Sequence, residues 1–146
     1  MNPALELRAL RGATTASANT AEAIGAAVQE LIRALVVHNG LAGREAVQLL
    51  SITFSVTADL DACFPAAIAR RMLNVDGIAL LDCQQMAVQG DLPRCIRLLA
   101  HAWLEAERTP VHPYLREAIR LRPDRAMPPE PVLPPATGPA ASPDAC

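Results

Sequence analysis

The sequence predicts a domain of the α/β or α+β class, in which helices pack on one face of a mixed β-sheet. One stretch, about residues 20–37, repeats its apolar residues with the 3.6-residue period of an amphipathic helix. Several shorter stretches alternate apolar with polar residues, or are rich in β-branched residues, as strands are. The predicted elements follow the order β-α-β-α-β-β-β, and the chain has no internal repeats.

The first strand and the first helix are each bounded by residue types that commonly begin or end such elements. Alternating apolar residues over 5–11 predict a strand that ends before Gly12. We expect Asn19 to cap the start of the helix, and Asn39 with Gly40 to stop it. The apolar stripe of this helix consists of Ile24, Val28, Leu31, Ile32 and Leu35.

Four later elements follow from composition and periodicity, and a fifth is ambiguous. Residues 46–53 and 78–81 predict strands, and 94–104 alternates along its whole length. A short helix is expected over 65–72, because a proline at its start loses no hydrogen bond in the first turn. Residues 114–122 fit either a strand or a helix, and local propensity slightly favours the helix. We predict a strand there, on the strength of the resemblance described below.

We expect one folded domain over residues 1–126 and a disordered tail over 127–146. The chain of 146 residues is long enough for one domain with a modest core. Its last twenty residues read MPPEPVLPPATGPAASPDAC. Proline has no N–H and a fixed φ, so this composition does not suit the interior of a helix or a sheet.

Charge and cysteine content exclude several classes of function. The formal net charge is -2 and the pI is near 5.9, which argues against bulk binding to nucleic acid or to a membrane surface. The four cysteines form no CxxC pair and match no zinc template. The sequence has no apolar run long enough to cross a bilayer and no recognisable export signal, so we expect a cytoplasmic protein.

The familiar catalytic and nucleotide-binding motifs are absent from the sequence, which has no GxGxxG, P-loop, HExxH or GxSxG pattern. His38, His101 and His112 lie far apart along the chain, and we interpret them as structural or surface residues. Asp59 and Asp61 are interpreted as part of a solvated loop rather than as a catalytic pair.

Arginine placement is the informative signal. All 13 basic residues are arginines, so every cationic group is a planar fork suited to carboxylates. Arg11 and Arg122 lie at the ends of predicted strands, and Arg97 lies within an apolar one. Any one of them alone would be interpreted as a solvated strand-end residue. Three such residues are harder to dismiss, because a cation on an apolar strand is costly unless it is paired and the sequence shows no obvious acidic partner.

The chain resembles the monofunctional AroH class of chorismate mutase. Each motif is weak alone, but they occur in the order and close to the spacing of the family and span the predicted domain. The matching stretches are RALRGATT at 8–15, DLDACFPAAIAR at 59–70, QQMAVQG at 84–90, RCIR at 94–97 and YLREAIRLRPD at 114–124.

The resemblance implies a homotrimer in which three mixed sheets, with helices packed outside, form a central pseudo-α/β-barrel. It places the active sites in clefts between subunits. It implies the pericyclic rearrangement of chorismate to prephenate, a step toward Phe and Tyr, which needs no nucleophile, metal or cofactor. The expected partners are the small-molecule substrate and two further copies of the chain.

The resemblance also assigns roles to individual residues. Arg97 would contact the ether oxygen of chorismate, and Arg11 would hold a side-chain carboxylate with Tyr114 donating a hydrogen bond nearby. Further substrate contacts are implied for Phe64, Ala66, Arg70, Leu81, Leu121 and Arg122. Phe64 and Arg70 would come from the neighbouring subunit, and Leu121 and Arg122 would close the pocket.

Two departures from the family pattern lie in the expected pocket. Studied members of the class have a glutamate where this chain has Gln85, and a cysteine where it has Asp82. Our hypothesis is that Asp82 supplies the carboxylate and Gln85 a neutral contact to the ring hydroxyl; alternatively, Asp82 is a turn residue and the site is weakened. Ala67 replaces a lysine common near the pocket mouth, which predicts weaker capture of the dianion.

Two other functions compete with the mutase. Small trimers such as imine deaminases also use interface arginines to hold carboxylates, which would make this chain a binding module or a deaminase-like protein. A degenerate mutase that acts as an interaction partner, with the proline-rich tail as its docking segment, is the third hypothesis.

Overall fold

The computed structural model describes residues 4–73, 76–129 and 131. Along this part of the chain the elements are β1 (Leu5–Thr15), α1 (Ala21–His38), α2 (Glu45–Gln48), β2 (Leu49–Val56), α3 (Pro65–Leu73), β3 (Ala79–Gln84), β4 (Cys95–Glu105) and a 3₁₀ helix (Arg116–Leu121). The mixed α+β class predicted from the sequence is confirmed.

The four strands form one mixed sheet in the order β1-β4-β2-β3. β4 is antiparallel to both of its neighbours, whereas β2 and β3 are parallel and are connected through α3. Parallel strands need such a crossover connection, because a tight turn can join only antiparallel neighbours. This topology places the first strand and the fourth strand side by side.

One face of the sheet packs on the helices. The apolar stripe of α1 is fully buried, together with Ile52 and Phe54 of β2 and Leu98 of β4. The opposite face carries exposed apolar side chains, of which Leu7 is 52% and Leu81 58% exposed. Because side chains alternate between faces along a strand, this open face is formed by the residues between the buried ones.

The predicted helix over 20–37 is confirmed with a shift of one residue, but its N-cap is different. Thr20, not Asn19, caps α1, because the Thr20 hydroxyl accepts a hydrogen bond from the backbone N–H of Ala23 at 3.1 Å. The side chain of Asn19 instead binds the loop at Asp61. At the other end Asn39 is the C-cap, and Gly40 has a positive φ of 69°.

Gly12 does not end the first strand. β1 continues to Thr15, and Gly12 pairs with Leu98 of β4 inside the ladder. A Cβ atom at this position would lie 3.0 Å from the carbonyl oxygen of Pro113 and 3.3 Å from Leu31 and Leu98 side-chain atoms. Glycine therefore avoids a tight contact with the nearby 113–114 backbone.

Two predicted strands differ in the structure. The first part of residues 46–53 belongs to the helical turn α2, and the strand begins at Leu49. The predicted strand over 114–122 is wrong: a single bridge joins Tyr114 to Ala13, and a 3₁₀ helix follows. Local helical propensity prevails over 116–121, because the parallel pairing with β1 is limited to this one bridge. Most of the predicted tail, 127–146, lies outside the described residues.

Candidate active site

The register of the sheet places a row of polar side chains on the open face. Ser55 of β2 is opposite Arg97 of β4. Arg11 of β1 pairs with Leu99 of β4, one row further along. Gln85 follows directly after β3, and its backbone N–H donates to the carbonyl of Val56 at 2.8 Å. Residues far apart in sequence therefore meet at one end of the sheet.

These residues line a cavity of about 300 Å³. The structure thus brings together three of the site residues predicted from the sequence, Arg11, Gln85 and Arg97. The cavity is formed by Arg11, Thr53, Ser55, Gln85, Arg97, Leu98 and Leu99. It has two guanidinium groups and no carboxylate among its lining residues, so it is suited to an anion.

The guanidinium of Arg97 is bound by a carboxylate at the edge of this cavity. Its Nη2 donates to Oδ1 of Asp91 at 2.9 Å, and its Nη1 donates to Oδ2 at 3.3 Å. Burial alone would lower the pKa of Arg97, but the hydrogen bonds to Asp91 hold it above its ordinary value. The same fork holds the pKa of Asp91 below the usual range for a carboxyl group.

The other two polar side chains of the cavity are fixed by neighbouring strands. The Ser55 hydroxyl donates to Oε1 of Gln85 at 2.5 Å, which leaves the amide nitrogen of Gln85 to act as a donor. Nε of Arg11 donates to the carbonyl of Leu98 at 3.2 Å. Within the described residues, the terminal nitrogens of Arg11 make no hydrogen bond and are available to a ligand.

Phe64 and Asp82 line a different cavity, of about 530 Å³. Phe64 is 70% exposed there. Burial raises the pKa of Asp82, although a hydrogen bond from the Ala66 N–H and the charge of Arg70 oppose the shift. Asp82 and Gln85, the two departures from the family pattern, therefore line separate cavities within one chain.

The C-terminal segment covers the end of β1. Tyr114 is 5% exposed and packs with Ala13 and Ala118, and the guanidinium of Arg125 lies 5.6 Å from the centre of its ring. Arg122 is bound by Asp124 at 2.8 Å. Neither Tyr114 nor Arg122 lines the cavity of Arg97, and Leu121 is half-buried beside Tyr114.

Asp91 and Ser55 are two residues of the site region that were not predicted from the sequence. No role was predicted for Asp91, although a carboxylate six residues before an arginine on an apolar strand could have suggested a pair. Ser55 gave no signal, because its role depends on the register of β2 against β4. Among the described residues, no group of three or more histidine, cysteine or acidic side chains could hold a metal ion. Likewise, no helix in that part of the chain is long and apolar enough to span a membrane.

Comparisons with known proteins agree with this architecture. The family model of type I chorismate mutases matches residues 7–125. The chorismate mutase AroH of Thermus thermophilus is 41% identical over 119 residues, which cover 81% of this chain and 95% of the relative. The chorismate mutase AroH of Bacillus subtilis (strain 168) is 31% identical over 122 residues, which cover 83% of this chain and 94% of the relative. A chorismate mutase structure from Clostridium thermocellum has a TM-score of 0.67 and 40% identity, covering 76% of this chain and 96% of that one.

The fold and these matches define an isomerase. The chain belongs to the type I family of chorismate mutases, and its reaction is the conversion of chorismate to prephenate in aromatic amino acid biosynthesis. The interpretations as a binding module or an imine-deaminase-like protein are not favoured by these matches.

Proposed function

We propose that Arg97, Arg11 and Gln85 form the half of the active site that catalyses the rearrangement. The observation that carries this proposal is their convergence, from β4, β1 and the end of β3, on one cavity that has two guanidinium groups and no lining carboxylate. Chorismate carries two carboxylates, an enolpyruvyl ether and a ring hydroxyl. The cavity therefore offers cationic forks and an amide donor to a substrate with matching anionic and polar groups.

Arg97 acts on the transition state in this mechanism. The C–O bond breaks ahead of C–C bond formation, so negative charge grows on the ether oxygen. A fixed guanidinium beside that oxygen stabilises the transition state more than the substrate, which raises kcat. Arg11 holds a side-chain carboxylate and keeps the flexible enolpyruvyl group folded over the ring, which lowers the entropic part of the barrier.

The second half of the proposed site comes from a neighbouring subunit of a homotrimer. Two observations support this: the predicted residues Phe64 and Asp82 line a separate cavity, and the open face of the sheet exposes apolar side chains. Asp82 would supply the carboxylate that contacts the ring hydroxyl together with Gln85. The remaining contacts proposed for this half are Ala66, Arg70 and Leu81.

The C-terminal segment completes the proposed pocket. Tyr114 would donate a hydrogen bond to the carboxylate held by Arg11, and Leu121 and Arg122 would close over the substrate. The proximity of Tyr114 to Ala13 on β1 supports this, because Arg11 lies two residues earlier on the same face of that strand. We further propose that residues 1–126 form the catalytic domain and that the protein works in the cytoplasm.

The first experiment follows the ultraviolet absorbance of chorismate with purified protein. Arg97→Ala should lower kcat by ~10²–10³, the usual loss for a preorganised donor. Arg97→Lys should also be strongly impaired, because a point charge does not reproduce the fork. Arg8→Ala is the matched control, since Arg8 lies outside the cavity of Arg97 and its half-exposed side chain pairs with Glu6. Wild-type activity in Arg97→Ala would refute the proposed role.

A complementation experiment tests the shared site. In a cyclic trimer each contact joins two different surfaces, so co-expressed Arg97→Ala and Asp82→Asn chains should form about a quarter of their interfaces with both halves intact. Activity should exceed that of either variant alone. No recovery in mixed trimers, or a monomeric mass in sedimentation, would refute the shared site.

A further inference from the structure

The proposed catalytic arginine, Arg97, forms a two-point ion pair with Asp91. Both carboxylate oxygens bind the two terminal nitrogens of the guanidinium, at 2.9 and 3.3 Å. The side chains are only 13% and 20% exposed, whereas both side chains are at least 33% exposed in the pairs that Arg8, Arg116, Arg120 and Arg122 form with acidic residues in the described part of the chain. A two-point contact fixes the plane of the guanidinium as well as its position.

Asp91 is itself held by a turn. Its backbone N–H donates to the carbonyl of Val88 at 3.1 Å, and Gly90 within the turn has a positive φ of 83° that favours glycine. Oδ1 of Asp91 also accepts the N–H of Leu92 at 2.8 Å. The carboxylate is therefore fixed to the backbone before it meets Arg97.

This pair leaves part of the guanidinium free for the substrate. An arginine has five N–H donors, and Asp91 uses one on each terminal nitrogen. Within the described residues, Nε and the other hydrogens of Arg97 make no hydrogen bond. Gln85 carries no charge, and the cavity lining has no acidic side chain, so Asp91 is the carboxylate that opposes the charge of Arg97 from the rim.

We propose that Asp91 is a positioning residue that holds the terminal nitrogens of Arg97 so that its remaining donors face the reacting ether oxygen. This inference rests on the proposed function of Arg97. Asp91 acts through Arg97 and does not need to touch the substrate. Its negative charge also weakens the attraction of the cavity for a dianion, so removal of that charge should affect binding and catalysis in opposite directions.

The test compares Asp91→Asn with wild type and with Glu6→Gln, which removes the acidic partner of an exposed pair on β1. Asparagine keeps an oxygen for the Leu92 N–H, so the turn should persist. We expect kcat to fall by ~10- to 100-fold, because a small misplacement of a catalytic group is that costly. KM should fall, since a negative charge near the dianion is lost. Glu6→Gln should leave both constants unchanged.

A second readout separates positioning from damage to the fold. In ¹⁵N spectra of arginine side chains, a fork held at both ends rotates slowly about its Nε–Cζ bond, and Asp91→Asn should accelerate that rotation for Arg97. Wild-type kcat in Asp91→Asn, or a lower kcat with unchanged KM and unchanged Arg97 rotation, would overturn the proposal. Absence of turnover in wild type would overturn the proposed function, and this inference with it.

Discussion

The carboxylate of Asp82 on β3 accepts a hydrogen bond from the backbone N–H of Ala66, the second residue of α3, at 3.0 Å. The bond connects the edge strand β3 to the start of a helix, where free N–H groups favour a negative charge. Asp82 therefore helps to fix α3, which carries Arg70, and at the same time lines the cavity of Phe64. Its structural and its proposed catalytic contribution can be separated experimentally.

Asp82→Asn should lower kcat by at least ~10-fold. The loss should be smaller than the ~10²–10³ expected for Arg97→Ala, because Gln85 still contacts the ring hydroxyl. Asparagine retains an oxygen that can accept the Ala66 N–H, so folding should be preserved. Steady-state kinetics and circular dichroism measure the two effects. Full activity in this variant would show that Asp82 supplies no catalytic charge.

The pH dependence of stability should also change in Asp82→Asn. Burial raises the pKa of Asp82 above the ordinary value of 3.8, so the folded state binds this proton more tightly than the unfolded state does. The resulting stability is fully present below the ordinary value and is lost as pH rises through the raised pKa. The Tm of wild type minus that of Asp82→Asn should therefore fall as pH rises above about 4. A difference that is independent of pH would contradict the raised pKa.

Gly12→Ala should destabilise the protein by about 1–3 kcal/mol, because the new methyl group meets the Pro113 carbonyl oxygen and two packed leucines. Displacement of the 113–114 backbone should also reduce activity through Tyr114. Gly77→Ala is the control, since a Cβ there meets nothing within 4 Å. Urea unfolding of both variants measures the difference. Equal stabilities would mean that the 113–114 segment moves away at little cost.

Thr20→Ala should cost about 1 kcal/mol of unfolding free energy, because the Ala23 N–H loses its partner at the start of α1. Thr20→Ser keeps the hydroxyl and should be nearly neutral. Thermal unfolding of the two variants gives the comparison. If serine and alanine are equally destabilising, the hydroxyl does not provide the cap.

Deletion of residues after Met127 should change kcat and KM by less than about twofold, since every residue proposed for the site precedes that position. The measurement is the chorismate assay on the shortened chain, with sedimentation to determine its mass. A large rise in KM would indicate that the tail contributes to substrate binding.

Long periodic elements could be predicted closely from the sequence. The helix predicted over 20–37 is found as Ala21–His38, and the strand predicted over 94–104 is found as Cys95–Glu105. In both, many residues repeat one period, so the pattern identifies the element even where its ends are uncertain. Residues 114–122 have no such redundancy, and their conformation depends on contacts with the end of β1, including the bridge between Tyr114 and Ala13.

Prediction of the candidate site relied on motif resemblance and not on periodicity. Motif resemblance selected Arg11, Gln85 and Arg97, and the structure places them on one cavity. Asp91 escaped notice because the direction of its side chain is set by a turn around Gly90, and no fixed spacing along a helix or strand relates it to Arg97. Gly12 was mistaken for a strand end because the close contacts that disfavour a side chain there come from residues distant in sequence, Leu31, Leu98 and Pro113.

The pairing of β1 with β4 has a consequence for biosynthesis. β1 is an edge strand whose sheet neighbour, β4, is made much later, since Leu5 pairs with Glu105. At the usual speed of a ribosome, roughly 5–20 s pass between the synthesis of these two partners. During that interval the nascent first strand, with Leu5 and Leu7, has no ladder to join and is open to chaperones or to aggregation. The yield of folded protein should therefore depend on how quickly the codons up to residue 105 are translated.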